Sequence, residues 1–338
     1  MEKLNFIFLL IIPTNLFAQT INPFPTPSKP WQYQLQDTVN PSYEAAVYDS
    51  DLFDSPQSLI DDLHAKAQSL HAKAQSLIGD MHAKVQSLID DLHPKGIFPG
   101  IINPFSTPSK SWQYQLQGTN NPSYEAAVYD IDLFDSPQSL IDDLHAKGIA
   151  VVCYFSAGSW ENWREDADQF PENVLGRKNG WAGERWLDIR SNEVRSIMAI
   201  RIGLARSKGC DAVEPDNVDG YSNRTGFPLT YQDQIDYNRF LAMTAHLVGL
   251  KVGLKNDLEQ INDLIGDFDF AINEECHRYS ECDALTPFID QGKAVFNVEY
   301  RATKQDKVCA QSRALGLSTI YLPLELDDSF RFSCPPLE

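Results

Sequence analysis

From Trp112 onward the chain alternates short apolar runs with amphipathic stretches. The apolar runs fall at residues 112–117, 126–132, 150–156, 185–189, 211–216, 251–256, 269–275, 294–300 and 319–325. Near-continuous apolar strands of this length suit a parallel sheet covered on both faces. The intervening stretches carry helix signals. Ser136 before Pro137 predicts an N-cap with proline at the first helical position, Leu140, Ile141 and Leu144 form one face, and Gly148 supplies a stop. Thr230 and Asp233 predict a capping pair for a helix that Gly249 ends. Strand–helix repetition over this span predicts an α/β fold, a (β/α)8 TIM-like barrel, over an open doubly wound sheet. Nine candidate strands compete for eight places, so one is an extra strand or not a strand.

Before this region the pattern is duplicated. Ile21–Lys66 recurs as Ile102–Lys147 with an offset of 81 residues and five substitutions. The spacer between them reiterates the "SLIDDLHAK" fragment; Leu63, Leu70, Leu77 and Leu88 with Ile78 and Ile89 make an amphipathic pattern that reads first as low-complexity reiteration. Only the second copy runs directly into "GIAVVCYFSAG", so it is expected in the barrel, and the first copy is expected as an appendage whose strands lack evident partners. The predicted organisation is a signal peptide at 1–18, a duplicated and poorly ordered unit with its helical spacer at 19–101, and a catalytic barrel at 102–338.

Residues 1–18 contain Lys3, an apolar run from Leu4 to Ile12 and small Ala18, which read as a secretory signal and predict an extracellular protein. The run is too short to span a bilayer. Six cysteines at 153, 210, 276, 282, 309 and 334 all follow it. Disulfides are expected from Cys276, Cys282, Cys309 and Cys334, whereas Cys153, within an apolar strand, reads as a buried thiol. The 338 residues are 43% hydrophobic, enough for a sizeable core, and 47 acidic against 28 basic residues give a formal charge of -19. That balance argues against nucleic acid and anionic membranes and favours a cationic ligand.

Acids recur where strands should emerge at one rim: Asp130, Asp132, Asp188, Glu214, Asp216, Glu274, Glu275 and Glu299. In a TIM barrel that rim carries the active site. Converging carboxylates admit a hard divalent cation or glycoside hydrolysis by paired acids. No histidine pair has HExxH spacing and no phosphate-binding glycine motif follows a strand, so no metal or other cofactor is expected. Tyr154, Trp160, Trp163, Trp181 and Tyr221 offer flat faces for sugar rings.

The segments "CYFSAGSWENWREDADQFP", "GWAGERWLDIR", "GCDAVEPDNVDGY", "LKND", "FAINEEC" and "VFNVEY", in this order, closely resemble glycoside hydrolase family 114, the endo-α-1,4-polygalactosaminidase-like proteins. The resemblance covers about 112–300. It implies a barrel fold and a secreted endo-hydrolase of α-1,4-linked, galactosamine-containing polysaccharide, a polymer whose protonated amines suit an acidic chain. By position in its motifs, the resemblance implies Asp216 and Glu274 as the catalytic pair, Asp216 as nucleophile and Glu274 as acid and base, with retention. Candidate substrate contacts are Asp132, Tyr154, Trp160, Asp188, Glu214, Asn217, Lys255, Glu275 and Glu299. Asn223-Arg224-Thr225 is a glycosylation sequon beside the expected cleft. The alternatives are a barrel that binds glycan without cleaving it and a hydrolase of another α-linked glycan; a monomer is expected.

Overall fold

The computed structural model describes residues 103–106 and 110–335, together with two short strands at 32–34 and 48–50. The chain divides into two compact units, Met1–Phe98 and Pro99–Glu338. In the first, Gln32–Gln34 pairs in parallel with Tyr48–Ser50, Gln32 opposite Tyr48. The expectation that these strands lack partners is corrected: they pair with each other. The expected signal segment, the expected helix of the first copy and the reiterated spacer lie outside the described residues.

The second unit is built on eight parallel strands: β1 (Trp112–Gln115), β2 (Val128–Asp132), β3 (Ala150–Ser156), β4 (Ala212–Asp216), β5 (Lys251–Lys255), β6 (Phe270–Glu274), β7 (Val295–Glu299) and β8 (Ser318–Tyr321). Each is hydrogen-bonded to its neighbour in chain order, and a short antiparallel β9 (Phe332–Ser333) follows on β8. This singly wound order is that of a TIM-like barrel. β1 and β8 are brought together by the Trp112 indole, which donates to the Ser318 carbonyl at 3.0 Å, and by the Ser318 hydroxyl, which donates to the Lys110 carbonyl.

The candidate strand at 185–189 is the one that does not belong. Glu184–Trp186 pairs antiparallel with Ser159–Glu161, a hairpin inserted between β3 and the helix Asn192–Lys208. Its apolar run reflects packing on that hairpin and on Leu175, with which Leu187 forms a bridge.

Alternation along each strand separates two cores. Trp112, Tyr114, Val128, Val152, Ala212, Phe270, Ile272, Phe296, Val298 and Ile320 fill the barrel, and Phe105 stacks on Phe270 with ring centroids 4.5 Å apart. The out-of-phase residues, among them Tyr129, Ile131, Cys153, Val213 and Leu254, pack against the helices. Gly253 leaves room for Phe270, whose ring a Cβ would approach to 2.5 Å.

The helix signals hold in part. Thr230 and Asp233 form a capping box on Tyr231–Leu247, and Gly148 takes φ +73 after Gln138–Ala146. Ser136 is not the cap: the helix starts one residue later, Pro137 occupies the N-cap position, and Ser136 is buried with its carbonyl accepting from Lys208 at 2.6 Å. Three disulfides join Cys276–Cys282, Cys309–Cys334 and Cys153–Cys210. The third corrects the reading of Cys153 as a thiol. Its side chain faces the helix layer, where Cys210, ahead of β4, comes within 6.1 Å Cα to Cα.

The second copy fits its place better than the first would. Ile131 is fully buried where the first copy has Ser50, Gly118 adopts φ +73 where it has Asp37, and Asn120 donates to the Gln115 carbonyl where it has Val39. Among the described residues no helix is long and apolar enough to cross a membrane.

Candidate active site

At the C-terminal ends of the strands lies an open cleft of about 970 Å³. Its lining contains twelve aspartates and glutamates but only Arg164 and Lys255 as cations, so the cleft is strongly acidic. Asp216 ends β4 and Glu274 ends β6, with Lys255 at the end of β5 between them. The Lys255 ammonium is 3.4 Å from Asp216 Oδ1 and 3.9 Å from Glu274 Oε2. Those two oxygens can therefore be no further apart than the sum of the two distances.

Each carboxylate has its own set of donors. Asp216 Oδ2 accepts from the Tyr154 hydroxyl and from Asn217 Nδ2, both at 3.2 Å. Glu274 Oε1 accepts from the Tyr300 hydroxyl, and Oε2 accepts from Asn256 Nδ2 at 3.2 Å. Burial and the surrounding carboxylates hold the hydroxyls of Tyr154 and Tyr300 well above their ordinary pKa, so both stay donors. Asn256 also binds the Glu274 backbone, accepting its N–H at 2.9 Å.

The backbone turns sharply away at each of these strands. Asn217, Asn256, Asp257 and Glu275 follow the strand ends with φ of 60, 50, 44 and 60. Left-handed backbone in non-glycine residues is uncommon and concentrates at functional sites. Gly158 makes the first of these turns possible, since a Cβ there would collide with the Asn217 carbonyl.

Lys255 is 2% exposed, donates to Glu214 Oε1 at 2.7 Å and to the Tyr114 hydroxyl at 3.0 Å. Burial disfavours its charge, but Asp216, Glu214 and Glu274 outweigh that and hold it well above its ordinary pKa. It is a permanent cation under the pair.

Of the candidate substrate contacts, Asp132, Tyr154, Asn217, Lys255 and Glu275 line the cleft. Asp132 is committed to Arg164, which donates to it at 2.6 and 3.0 Å, and Glu275 to Arg278. The other four do not line it and are corrected. Glu214 is fully buried below the floor; Trp160 turns its indole N–H to the Ala167 carbonyl at 3.0 Å; Asp188 pairs with Arg190 at 2.8 Å; and Glu299 faces the His277 N–H at 2.9 Å. Glu299 is out of phase with the interior positions Phe296 and Val298, whereas Tyr300 is in phase. Counting by twos along "VFNVEY" would have selected the tyrosine. Tyr114, Asn256 and Asp257 were missed because tyrosine within a strand and amide or acid after it carry no distinguishing signal. Asn223 is exposed, and its amide donates to the Asp219 carbonyl at 3.1 Å. Among the described residues Cys276, His277 and Cys282 bring ligand-type atoms together, but both sulfurs are joined in the disulfide.

Asp257 is 5% exposed and accepts from Asn238 at 2.9 Å, and its Oδ1 has no partner among the described residues. Burial, reinforced by Asp219, raises its carboxyl to about 8. A raised carboxyl stabilises the fold below its unfolded value of about 3.9, and that contribution is lost as pH rises toward the folded value. Asp257→Asn, which suits left-handed backbone, is therefore expected to match the wild type at pH 4 and to melt a few degrees higher at pH 8. Thermal denaturation across that pH range checks it.

The family profile of glycoside hydrolase family GH114 matches residues 101–336. The chain belongs to that family. It is similar, at 38% identity, to Ega3 of Aspergillus fumigatus, crystallised in complex with galactosamine; the alignment covers 71% of this chain and all of that one, with a TM-score of 0.66. The glycoside hydrolase domain of PelA from Pseudomonas aeruginosa shares the fold at 15% identity and a TM-score of 0.52, covering 66% of this chain and 97% of that one. No curated protein sequence matches the chain significantly. The GH114 chain is a glycoside hydrolase with a TIM-like barrel and three disulfides.

Proposed function

We propose that this GH114 protein is a secreted, endo-acting hydrolase of α-1,4-linked, galactosamine-containing polysaccharide, working by double displacement on Asp216 and Glu274. The observation that carries the reading is the pair itself: two carboxylates from β4 and β6 facing one cleft, with the Lys255 cation between and below them. Retaining hydrolases hold their carboxyls roughly 5 Å apart and inverting ones roughly 6.5–9.5 Å apart. The limit that Lys255 sets on the separation admits the shorter class and reaches only the lower part of the longer one.

In this mechanism Asp216 attacks the anomeric carbon while Glu274 protonates the leaving oxygen; Glu274 then takes a proton from water as it releases the glycosyl ester. Each carboxylate has two side-chain donors, but the ammonium is nearer Asp216, at 3.4 against 3.9 Å, which suits the nucleophile, while Glu274, the more open of the two at 31% side-chain exposure, is suited to exchange protons with the leaving group and water. The acidic lining suits a polymer bearing ammonium groups. Similarity to Ega3, crystallised with galactosamine, supports the same sugar here. Exposed Trp163 and Trp181 on the β3–β4 connection and Tyr279 beyond β6 provide stacking faces along an open cleft, which supports internal cuts.

Residues 1–18 act as the export signal, 19–101 as an appended unit and 102–338 as the catalytic domain in this reading, with Asn223 a glycan acceptor. Digestion of partially deacetylated α-1,4-galactosaminogalactan tests it: a ladder of oligosaccharides with an early fall in polymer length is expected, and release of single sugars alone, or binding without release, contradicts it. Deleting residues 21–101 is expected to leave kcat/KM within about twofold, because the barrel has its own core; an unfolded product would show that the first unit is required.

A further inference from the structure

Below the catalytic pair, Asp130 lies in the middle of β2, fully buried and pointing into the barrel between Val128 and Asp132. Its carboxyl is in hydrogen-bond contact with that of Glu214, also fully buried. Neither Asp130 oxygen, nor Glu214 Oε2, meets any other donor among the described residues. Two touching carboxylates cannot both ionise in such a site at reasonable cost, whereas one proton between them turns a repulsion into a hydrogen bond.

The neighbours decide which acid keeps that proton. Glu214 Oε1 accepts from Lys255 at 2.7 Å and from the Tyr114 hydroxyl at 3.2 Å, so its anion is supported. Asp130 has no donor among the described residues to support a charge. We propose that Asp130 is a neutral positioning residue whose carboxylic O–H donates to Glu214 Oε2 and, through Glu214 and Lys255, fixes the carboxylate of Asp216. Burial, then the Glu214 charge, hold the Asp130 carboxyl well above the ordinary range, in keeping with this geometry.

The charged and titratable groups facing this centre are Tyr114 from β1, Glu214 and Asp216 from β4, and Lys255 from β5; Glu274 and Tyr300 face Lys255 from beyond. With Asp130 neutral, Lys255 is shared by Glu214 below and the reacting pair above. Losing the donor would let Glu214 take up the proton or draw Lys255 down, and either change moves charge away from Asp216.

The inference rests on the reading of Asp216 and Glu274 as the reacting pair. Its test compares Asp130→Asn, a neutral donor of the same shape, with Asp130→Ala in the full chain. Asp130→Asn is expected to keep kcat within about threefold and an unshifted pH profile, and Asp130→Ala to lose about 10- to 100-fold in kcat with KM little changed. Difference infrared spectra of wild type and Asp130→Asn at neutral pH give a readout without substrate: the carbonyl stretch of a protonated buried carboxyl is expected in the wild type and diminished in the variant. An Asp130→Asn enzyme as impaired as Asp130→Ala, a pH profile displaced by about one unit or more, or an undiminished infrared band would overturn the proposal. Should Asp130→Ala fail to fold, Asp130→Asn and the spectra still decide. Should the wild type cleave no galactosamine polymer, the reading of the catalytic pair falls, and the infrared comparison still judges Asp130.

Discussion

Asp216→Asn is expected to lower kcat on galactosamine polymer by at least about 1000-fold while the protein melts close to the wild type. The amide keeps the shape of the carboxylate and its contacts with Tyr154 and Asn217, but it cannot form the glycosyl ester. Glu274→Gln is expected to fall by about 100- to 10,000-fold, the range general acid catalysis supplies. The two losses differ in kind. On an oligomer with an activated aryl leaving group, which departs without protonation, Glu274→Gln recovers glycosylation and Asp216→Asn does not. Initial rates on the two substrates, with circular dichroism as the folding control, check both. Near-normal turnover by either variant removes that residue from the mechanism.

Lys255→Met is expected to have the largest effect on stability, about 3–5 kcal/mol. Removing the ammonium leaves Glu214, fully buried, without its cation at 2.7 Å, and takes away the cation that lies 3.4 Å from Asp216 and 3.9 Å from Glu274. For a domain of this size each kcal/mol corresponds to about 2–4 °C in Tm. The effect is electrostatic and can be separated from lost packing: adding Glu214→Gln removes the stranded charge and is expected to restore much of the Tm without restoring turnover. Equal melting of the single and double variants would show that the cation's charge is not what matters. Thermal melts of the set provide the comparison.

Much of the barrel was legible because its strands are apolar on both faces and its helices carry ordinary stop and start signals. Gly148 and the Thr230–Asp233 box mark real ends. Apolar content alone could not separate barrel strands from a surface hairpin, so residues 185–189 read like the rest although Glu184–Trp186 pairs with Ser159–Glu161 outside the barrel sheet. Cys153 looked like a core thiol because the sequence does not show that its outward side meets the turn before β4.

The site shows the same division. Asp216 and Glu274 are marked by motif, and the structure brings both to one cleft. The motif says nothing of depth. Glu214, two residues before Asp216, shares its face of the strand but lies one layer lower, where Lys255, Tyr114 and Asp130 enclose it. Glu299 and Tyr300 are adjacent in sequence and on opposite faces, so a reading by residue type chose the acid, while strand parity selects the tyrosine that binds Glu274. Acids on or near strand ends therefore differ in place here: Asp216 and Glu274 line the cleft, Glu214 is buried beneath it, and Glu299 turns to the His277 backbone.

The most direct test of the mechanism is the configuration of the sugar first released. Proton NMR of a galactosamine oligomer during the first moments of digestion resolves the newly formed reducing end before mutarotation mixes the anomers. Double displacement on Asp216 predicts that the α anomer appears first and the β anomer only later. Initial appearance of the β anomer would contradict it, showing that water attacks directly and that Asp216 is a base instead of a nucleophile.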